Sequence, residues 1–155
     1  MKKILIIALV LTTFSCSNQV DKTLKYYPFE NSQNEMSLLN DINNYRASLG
    51  VGKLVISQHV SYKCSEHNDY MIRMNTLTHN GFVERSENIQ QVCGATSVGE
   101  VLACNFSTNE SVLRGWKNSV THDTVVKGTF NRVGISIKED SNGCLLYTSP
   151  SPRDS

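Results

Sequence analysis

The sequence predicts an α+β domain, on three observations. Apolar residues recur at helical spacing in two early stretches, 38–45 and 60–74, and again at 112–116. Val133, Ile135 and Ile137 then alternate with Gly134, Ser136 and Lys138, as in a half-buried strand. Asn142-Gly143 closes that run with a strong hairpin signal, which calls for an antiparallel partner. Helices first and hairpin-linked strands last argue against a doubly wound parallel sheet.

Each element carries its own signature. Ser32 and Glu35 form a capping box, Leu38, Leu39, Ile42 and Tyr45 share the following helical face, and Gly50 stops it. Val60, Cys64, His67, Met71 and Met74 recur at steps of four and three, so a second amphipathic helix starts near Ser57 and frays before His79. From His79 to Gly99 the periodicity is weak and Gly81, Gly94 and Gly99 punctuate it, which predicts loop. Ser107 and Glu110 read as a second capping box, ahead of a third helix with Val112, Leu113 and Trp116 inward.

Both ends of the 155-residue chain stand apart from this domain. Residues 1–15 have two lysines, an apolar run from Ile4 to Leu11 and a small-residue end, as in a secretory signal peptide. The run is too short to be a good membrane-spanning helix. Phe14-Ser15-Cys16 resembles the end of a bacterial lipoprotein signal, in which Cys16 is acylated and anchors the mature chain; an ordinary signal with an incidental cysteine is the alternative. Residues 16–31 then form the lipidated cysteine and a polar tether, and 32–143 the domain. Cys144 to Asp154, CLLYTSPSPRD, matches one reading frame of a tagmentation sequencing adapter. Residues 144–155 are therefore read as non-native, with the gene's own return strand replaced.

Trimming changes the arithmetic. Cys16 to Gly143 holds 12 basic and 13 acidic residues, a net charge of −1, which gives no support to nucleic acid as a partner. Cys64, Cys93 and Cys104 remain, and an exported domain permits one bridge among them. Cys93 and Cys104 flank a glycine-containing loop and are the expected pair; Cys64 lies on an apolar helix face and reads as a buried thiol.

Four histidines could carry chemistry. His67 falls within the apolar stripe of the second helix and reads as a satisfied core residue, with His59 near that helix's start. His79 and His122 sit in polar, turn-like surroundings beyond helical segments. No Ser-His-Asp or Cys-His nucleophile system, His-Glu-x-x-His, P-loop or dinucleotide fingerprint accompanies them.

Four segments, taken in order, resemble the CAP superfamily of cysteine-rich secretory, antigen 5 and pathogenesis-related proteins, closest to its bacterial secreted and lipoprotein branch. Tyr45-Arg46 matches the family's first-helix pair, and His79 with Phe82 matches its first histidine segment. Gly99-Glu100 matches the start of a Gly-Glu-Asn motif. Trp116, Asn118, Ser119 and His122 match Trp-x-Asn-Ser-x-x-His, ahead of a strand like Arg132-Val133-Gly134-Ile135. Val101 departs from the usual Asn, and Val120-Thr121 from a common Pro-Gly. Ser86-Glu87-Asn88-Ile89 offers a rival to Glu100, but the spacing from Glu100 to Trp116 favours Glu100.

The resemblance implies a three-layer α-β-α sandwich around an antiparallel sheet. It also implies a cleft of His79, Glu100, His122 and Ser119, with His79 and His122 as ligands for Zn²⁺ or another divalent metal. Glu100 could ligate the metal beside them, or could hydrogen-bond the second nitrogen of a ligating imidazole. The function this suggests is an exported, lipid-anchored domain binding a small lipid or other cell-envelope ligand. A metal-dependent hydrolase of peptide or envelope substrates and a structural interaction module are the alternatives.

Overall fold

A computed structural model of the chain describes residues 25–154. The expected signal peptide, Cys16 and the expected tether up to residue 24 lie outside the described residues. Helices α1 (Gln33–Ser48), α2 (Gln58–Met74), α3 (Phe82–Cys93), α4 (Asn109–Asn118) and α5 (Val120–Val126) alternate with strands β1 (Val55–Ile56), β2 (Ala95–Cys104), β3 (Arg132–Val133), β4 (Ser136–Glu139) and β5 (Leu145–Asp154). The three-stranded antiparallel sheet runs β2-β5-β4, and β1 pairs with β3 in parallel.

Alternation along β2 sorts the layers. Val101 and Ala103 join Leu38, Leu39 and Ile42 of α1 and Val112, Leu113 and Trp116 of α4 in the main core. Leu102 packs on the opposite face with Met71 of α2 and Leu146 of β5. Helices thus cover both faces of the sheet, the expected α-β-α sandwich. Trp116, almost fully buried, donates its indole N–H to the Leu102 carbonyl at 3.0 Å and fastens α4 to the sheet. Gly134 sits directly against α2: a Cβ there would overlap the Val60 carbonyl carbon and the Ser61 nitrogen.

Helix starts follow the capping chemistry with one shift. Ser32 Oγ accepts from the Glu35 N–H, and Glu35 Oε2 accepts from the Ser32 N–H at 2.7 Å. Glu35 is itself buried, and its other oxygen accepts from the Ile137 N–H at 2.8 Å, tying α1 to β4. At α4 the box is Thr108 with Ser111, one residue later than the expected Ser107 and Glu110. Two larger differences concern stretches expected as loop. Residues 82–93 form α3, of which Ile89 alone is buried, so a helix was present without an apolar stripe to announce it. Gly81 and Gly94, taken above as loop punctuation, are its caps, both at left-handed φ near 70°. Residues 95–104 form the long strand β2, and the 133–137 alternation is broken between β3 and β4.

β5 is drawn from the segment set apart above as non-native, and it fills the centre of the sheet. Pro150 and Pro152 would be expected to end its pairing, yet the ladder with β2 runs on to Asp154. The reason is register. The Pro150 and Pro152 carbonyls accept from Gly134 and Asn131, so both residues turn their backbone polar edge away from β2. Their missing N–H groups therefore cost no bond to β2.

Two buried side chains hold the periphery. Arg46, 1% exposed, donates from Nε to the Gly52 carbonyl, from Nη1 to those of Val126 and Gly128, and from Nη2 to that of Phe130, at 2.7–3.0 Å. His59, wholly buried, accepts the Tyr27 backbone N–H at Nδ1 (3.0 Å) and lies 2.8 Å from Asn88 Oδ1 through Nε2. That pattern defines a neutral imidazole carrying its proton on Nε2. Tyr27 also stacks on Tyr62 with ring centroids 4.5 Å apart, so residues 25–31 lie as a strap over α2.

Two outcomes follow. Arg46→Lys should destabilise the domain by about 3 kcal/mol or more in urea unfolding, because a single ammonium cannot satisfy four spread carbonyls. Acid should loosen the strap first. Burial holds the His59 pKa below its ordinary 6.5, with Lys63 adding to this and Asn88 and Glu66 opposing it. The unfolded chain therefore takes the proton more readily. The stabilisation from neutral His59 is complete above pH 6.5 and is lost as the pH falls below it. Amide exchange at Tyr27 should accelerate over that interval ahead of the α4 amides; equal acceleration of both would contradict the lock.

Candidate functional site

Glu100 lies on β2, one of the two edge strands of the three-stranded sheet, flanked by α3 and α5. It follows Gly99, whose bare Cα is required: a Cβ would stand 2.9 Å from both Phe130 Cζ and Val125 Cγ1. The segment after α2 brings in His79, and its Nδ1 lies 2.8 Å from Glu100 Oε1. The carboxylate is 2% exposed, whereas the imidazole is 53% exposed. Glu100 accepts at Nδ1, so a neutral His79 presents the Nε2 lone pair outward.

Arg85, on α3, makes the other contacts. Its Nε donates to Glu100 Oε2 at 3.1 Å, and Nη2 reaches Oε1 and Oε2 at 2.8 and 2.9 Å. Nη1 donates to the Asn80 carbonyl at 2.8 Å, so the same guanidinium clamps the residue beside His79. Sequence reasoning missed Arg85. A single arginine in the polar run Glu84-Arg85-Ser86-Glu87 carries no periodic or motif signal, and only the turn of α3 aims it at β2.

His122 is half-buried on α5. Burial and the nearby His79 both push its pKa below the ordinary 6.5. The helix is fixed from α1: Tyr45 donates its hydroxyl to Asp123 Oδ1 at 2.6 Å. Ser119 sits at the α4–α5 junction, where its carbonyl accepts the Asp123 N–H, and its hydroxyl caps neither helix. His79 and Glu100 are thus in contact with His122 close by, while Ser119 serves the backbone turn. Glu87, the rival acid, is exposed on α3. His67 is a core residue, with Nε2 2.7 Å from the Thr78 carbonyl.

The expected Cys93–Cys104 bridge is not formed. Cys64, Cys93, Cys104 and Cys144 are all free thiols. Cys93 ends α3 just before β2 begins, and Cys104 is the last residue of β2. Ten residues of strand separate the two by about 30 Å, against the roughly 6 Å between Cα atoms that a disulfide needs. The intervening segment was expected to be a loop that could fold back; it is a strand that cannot. Cys64 is fully buried and donates to the Val60 carbonyl, as expected of a shielded thiol.

Among the described residues, no three His, Cys, Asp or Glu side chains are arranged to share one metal ion. Two surface concavities are lined by none of His79, Glu100 and His122. One of about 590 Å³ runs between α1 and α4, lined by Asp41, Tyr45, Leu113 and Lys117. Another of about 330 Å³ adjoins Arg85, with His67 and Tyr70 in its wall. The His79 imidazole is open to the surface, and the Glu100 carboxylate lies beneath it.

Comparison with known proteins agrees with this architecture. Among solved structures, an outer surface protein from Borrelia burgdorferi superposes with a TM-score of 0.70 at 16% identity, over 84% of this chain and 100% of that one. An extracellular protein containing an SCP domain from Bacillus anthracis gives 0.67 at 20% identity, over 78% of this chain and 40% of its own length. A cysteine-rich secretory protein from Staphylococcus aureus gives 0.65 at 15%, over 81% and 40%. At these identities the likeness shows the fold alone. No curated protein matches the chain in sequence. The family model for CAP, the cysteine-rich secretory protein family, matches residues 39–149, from α1 into β5, and the chain belongs to that family.

Proposed function

We propose that this is an exported, lipid-anchored CAP domain that binds a small lipid or other cell-envelope ligand in the cleft of His79, Glu100 and His122. The observation that carries the reading is the 2.8 Å contact between His79 Nδ1 and the buried Glu100 carboxylate, with His122 near His79 on α5. A carboxylate behind one imidazole fixes its tautomer and turns its other nitrogen toward a ligand. Export is supported by the signal-like residues 1–15, and by neighbours described as outer-surface, extracellular or secretory.

Two imidazoles are a sparse donor set for a divalent cation, and no third ligand joins them among the described residues. Nε2 of His79 and the ring of His122 would hold it, with Glu100 behind His79. Bound there, such an ion would supply Lewis-acid polarisation of a ligand oxygen. Binding is favoured over hydrolysis because Glu100 has no idle oxygen. Oε1 receives His79 and Arg85, and Oε2 receives two Arg85 donors, which leaves no lone pair to take a proton from water.

Calorimetry with Zn²⁺ tests the cleft. His79→Ala and His122→Ala should each lose at least about tenfold in affinity while keeping the fold, and binding should weaken on acidification as the imidazoles take up protons. Unchanged affinity in both variants would remove the metal from the reading. The anchor is tested separately. The full chain expressed in a bacterial host should partition with membranes and carry a lipid mass increment on Cys16, and Cys16→Ala should release it. Equal soluble release of the two forms would leave an exported domain without an anchor.

A further inference from the structure

We propose that Arg85 is the specificity-determining residue of this cleft: by pairing with both oxygens of Glu100 it cancels the buried negative charge beside the imidazoles and keeps the affinity for divalent cations low. The inference rests on reading the His79–Glu100–His122 cleft as the ligand site. It goes further by saying what sets its selectivity.

The geometry is that of a matched pair. Three guanidinium–carboxylate contacts fall between 2.8 and 3.1 Å, with Arg85 12% and Glu100 2% exposed, so solvent screens the pair little. With Arg85 in place the pair is neutral overall. A cation arriving at His79 meets two imidazoles and no net charge. With Arg85 neutralised the same cation would meet a full negative charge one imidazole ring away, and at protein-like dielectric that attraction is worth well over a factor of ten. Arg85 also acts on position. Its Nη1 holds the Asn80 carbonyl, and a side chain at Gly81 would come within 3.3 Å of that nitrogen. The residue after His79 and the carboxylate behind it are therefore held by one rigid fork. The ligand suited to such a cleft is polar and uncharged overall, held by hydrogen bonds to the imidazoles.

Charge and scaffolding roles predict opposite signs, and Zn²⁺ titration of the full chain at about pH 8, where free imidazole is unprotonated, separates them. Arg85→Gln should bind Zn²⁺ about tenfold more tightly than wild type, and adding His79→Ala should abolish the gain. Arg85→Lys keeps the charge but loses the fork, and should stay within about threefold of wild type. If Arg85 only supports the fold, both variants weaken, and the proposal falls. Should Arg85→Gln fail to fold, Glu100→Gln decides: it leaves Arg85 uncompensated and should weaken Zn²⁺ binding about tenfold, and an unchanged value overturns the proposal. A wild type that binds no Zn²⁺ would defeat the cation site proposed above. This inference would then stand if Arg85→Gln created a His79-dependent site, and fall if it did not.

Discussion

The buried guanidinium of Arg46 is the contact on which the site depends. Among the described residues it has no carboxylate partner; four backbone carbonyls solvate it instead, one before β1 and three between Val126 and Phe130. Those three fix the chain leaving α5. Phe130, held by its own carbonyl, lays its ring against Gly99, and Val125 closes from beside it. Gly99 precedes Glu100, so the guanidinium on α1 sets the depth of the carboxylate on β2 through one aromatic ring. The neighbouring Tyr45 reaches Asp123, next to His122. One dipeptide of α1 thus holds α5 at both ends. The Tyr45-Arg46 match found in the sequence is a brace for the cleft, although neither residue touches Glu100.

What the sequence could disclose followed from how each element hides its apolar surface. α1, α2 and α4 bury a stripe against the sheet, so their periodicity and capping residues were readable, to within one position at Thr108. α3 buries little beyond Ile89, and its polar face is occupied by Arg85 and Asn88 bonding to side chains of other elements. Nothing local marks such a helix. β2 is buried on both faces over Val101–Ala103, so its inner half reads as a continuous apolar run and not as alternation. That one misreading also produced the disulfide expectation, since a loop between Cys93 and Cys104 could close and an extended strand cannot. The cleft residues were found through family motifs; spacing alone left His79 and His122 as two polar histidines. Arg85 lay beyond both, because its role exists only once α3 is a helix.

The sheet makes a related point about how strongly a fold constrains a segment. With β2 at one edge and β4 at the other, the centre must hold a strand of about β2's length. Leu146 and Tyr147 meet that need by pointing to opposite cores, and Thr148 joins Asn68 and Ser136 in a buried hydrogen-bonded network. Beyond Thr148 the strand is less suited to its place, with Ser149 and Ser151 buried, Pro150 between them and Pro152 after. Those prolines are tolerated because β4 has already ended and β3 needs only carbonyls from this edge.

Burying Glu100 next to an exposed histidine sets a problem that the fold must solve before any ligand arrives. An ionised carboxylate at 2% exposure costs several kcal/mol unless something positive or richly hydrogen-bonding faces it. A bound metal or an imidazolium could serve, but each would make folding depend on metal supply or on pH. Arg85 removes that dependence. It carries its charge at every physiological pH, its fork matches the carboxylate, and it is built into the adjoining helix. Glu100 and Arg85 therefore form a buried pair that satisfies itself, with His79 open to the surroundings. If the domain is exported as proposed, it works where metal levels and acidity are not the cell's to set, and a carboxylate already paired inside the fold keeps folding independent of both.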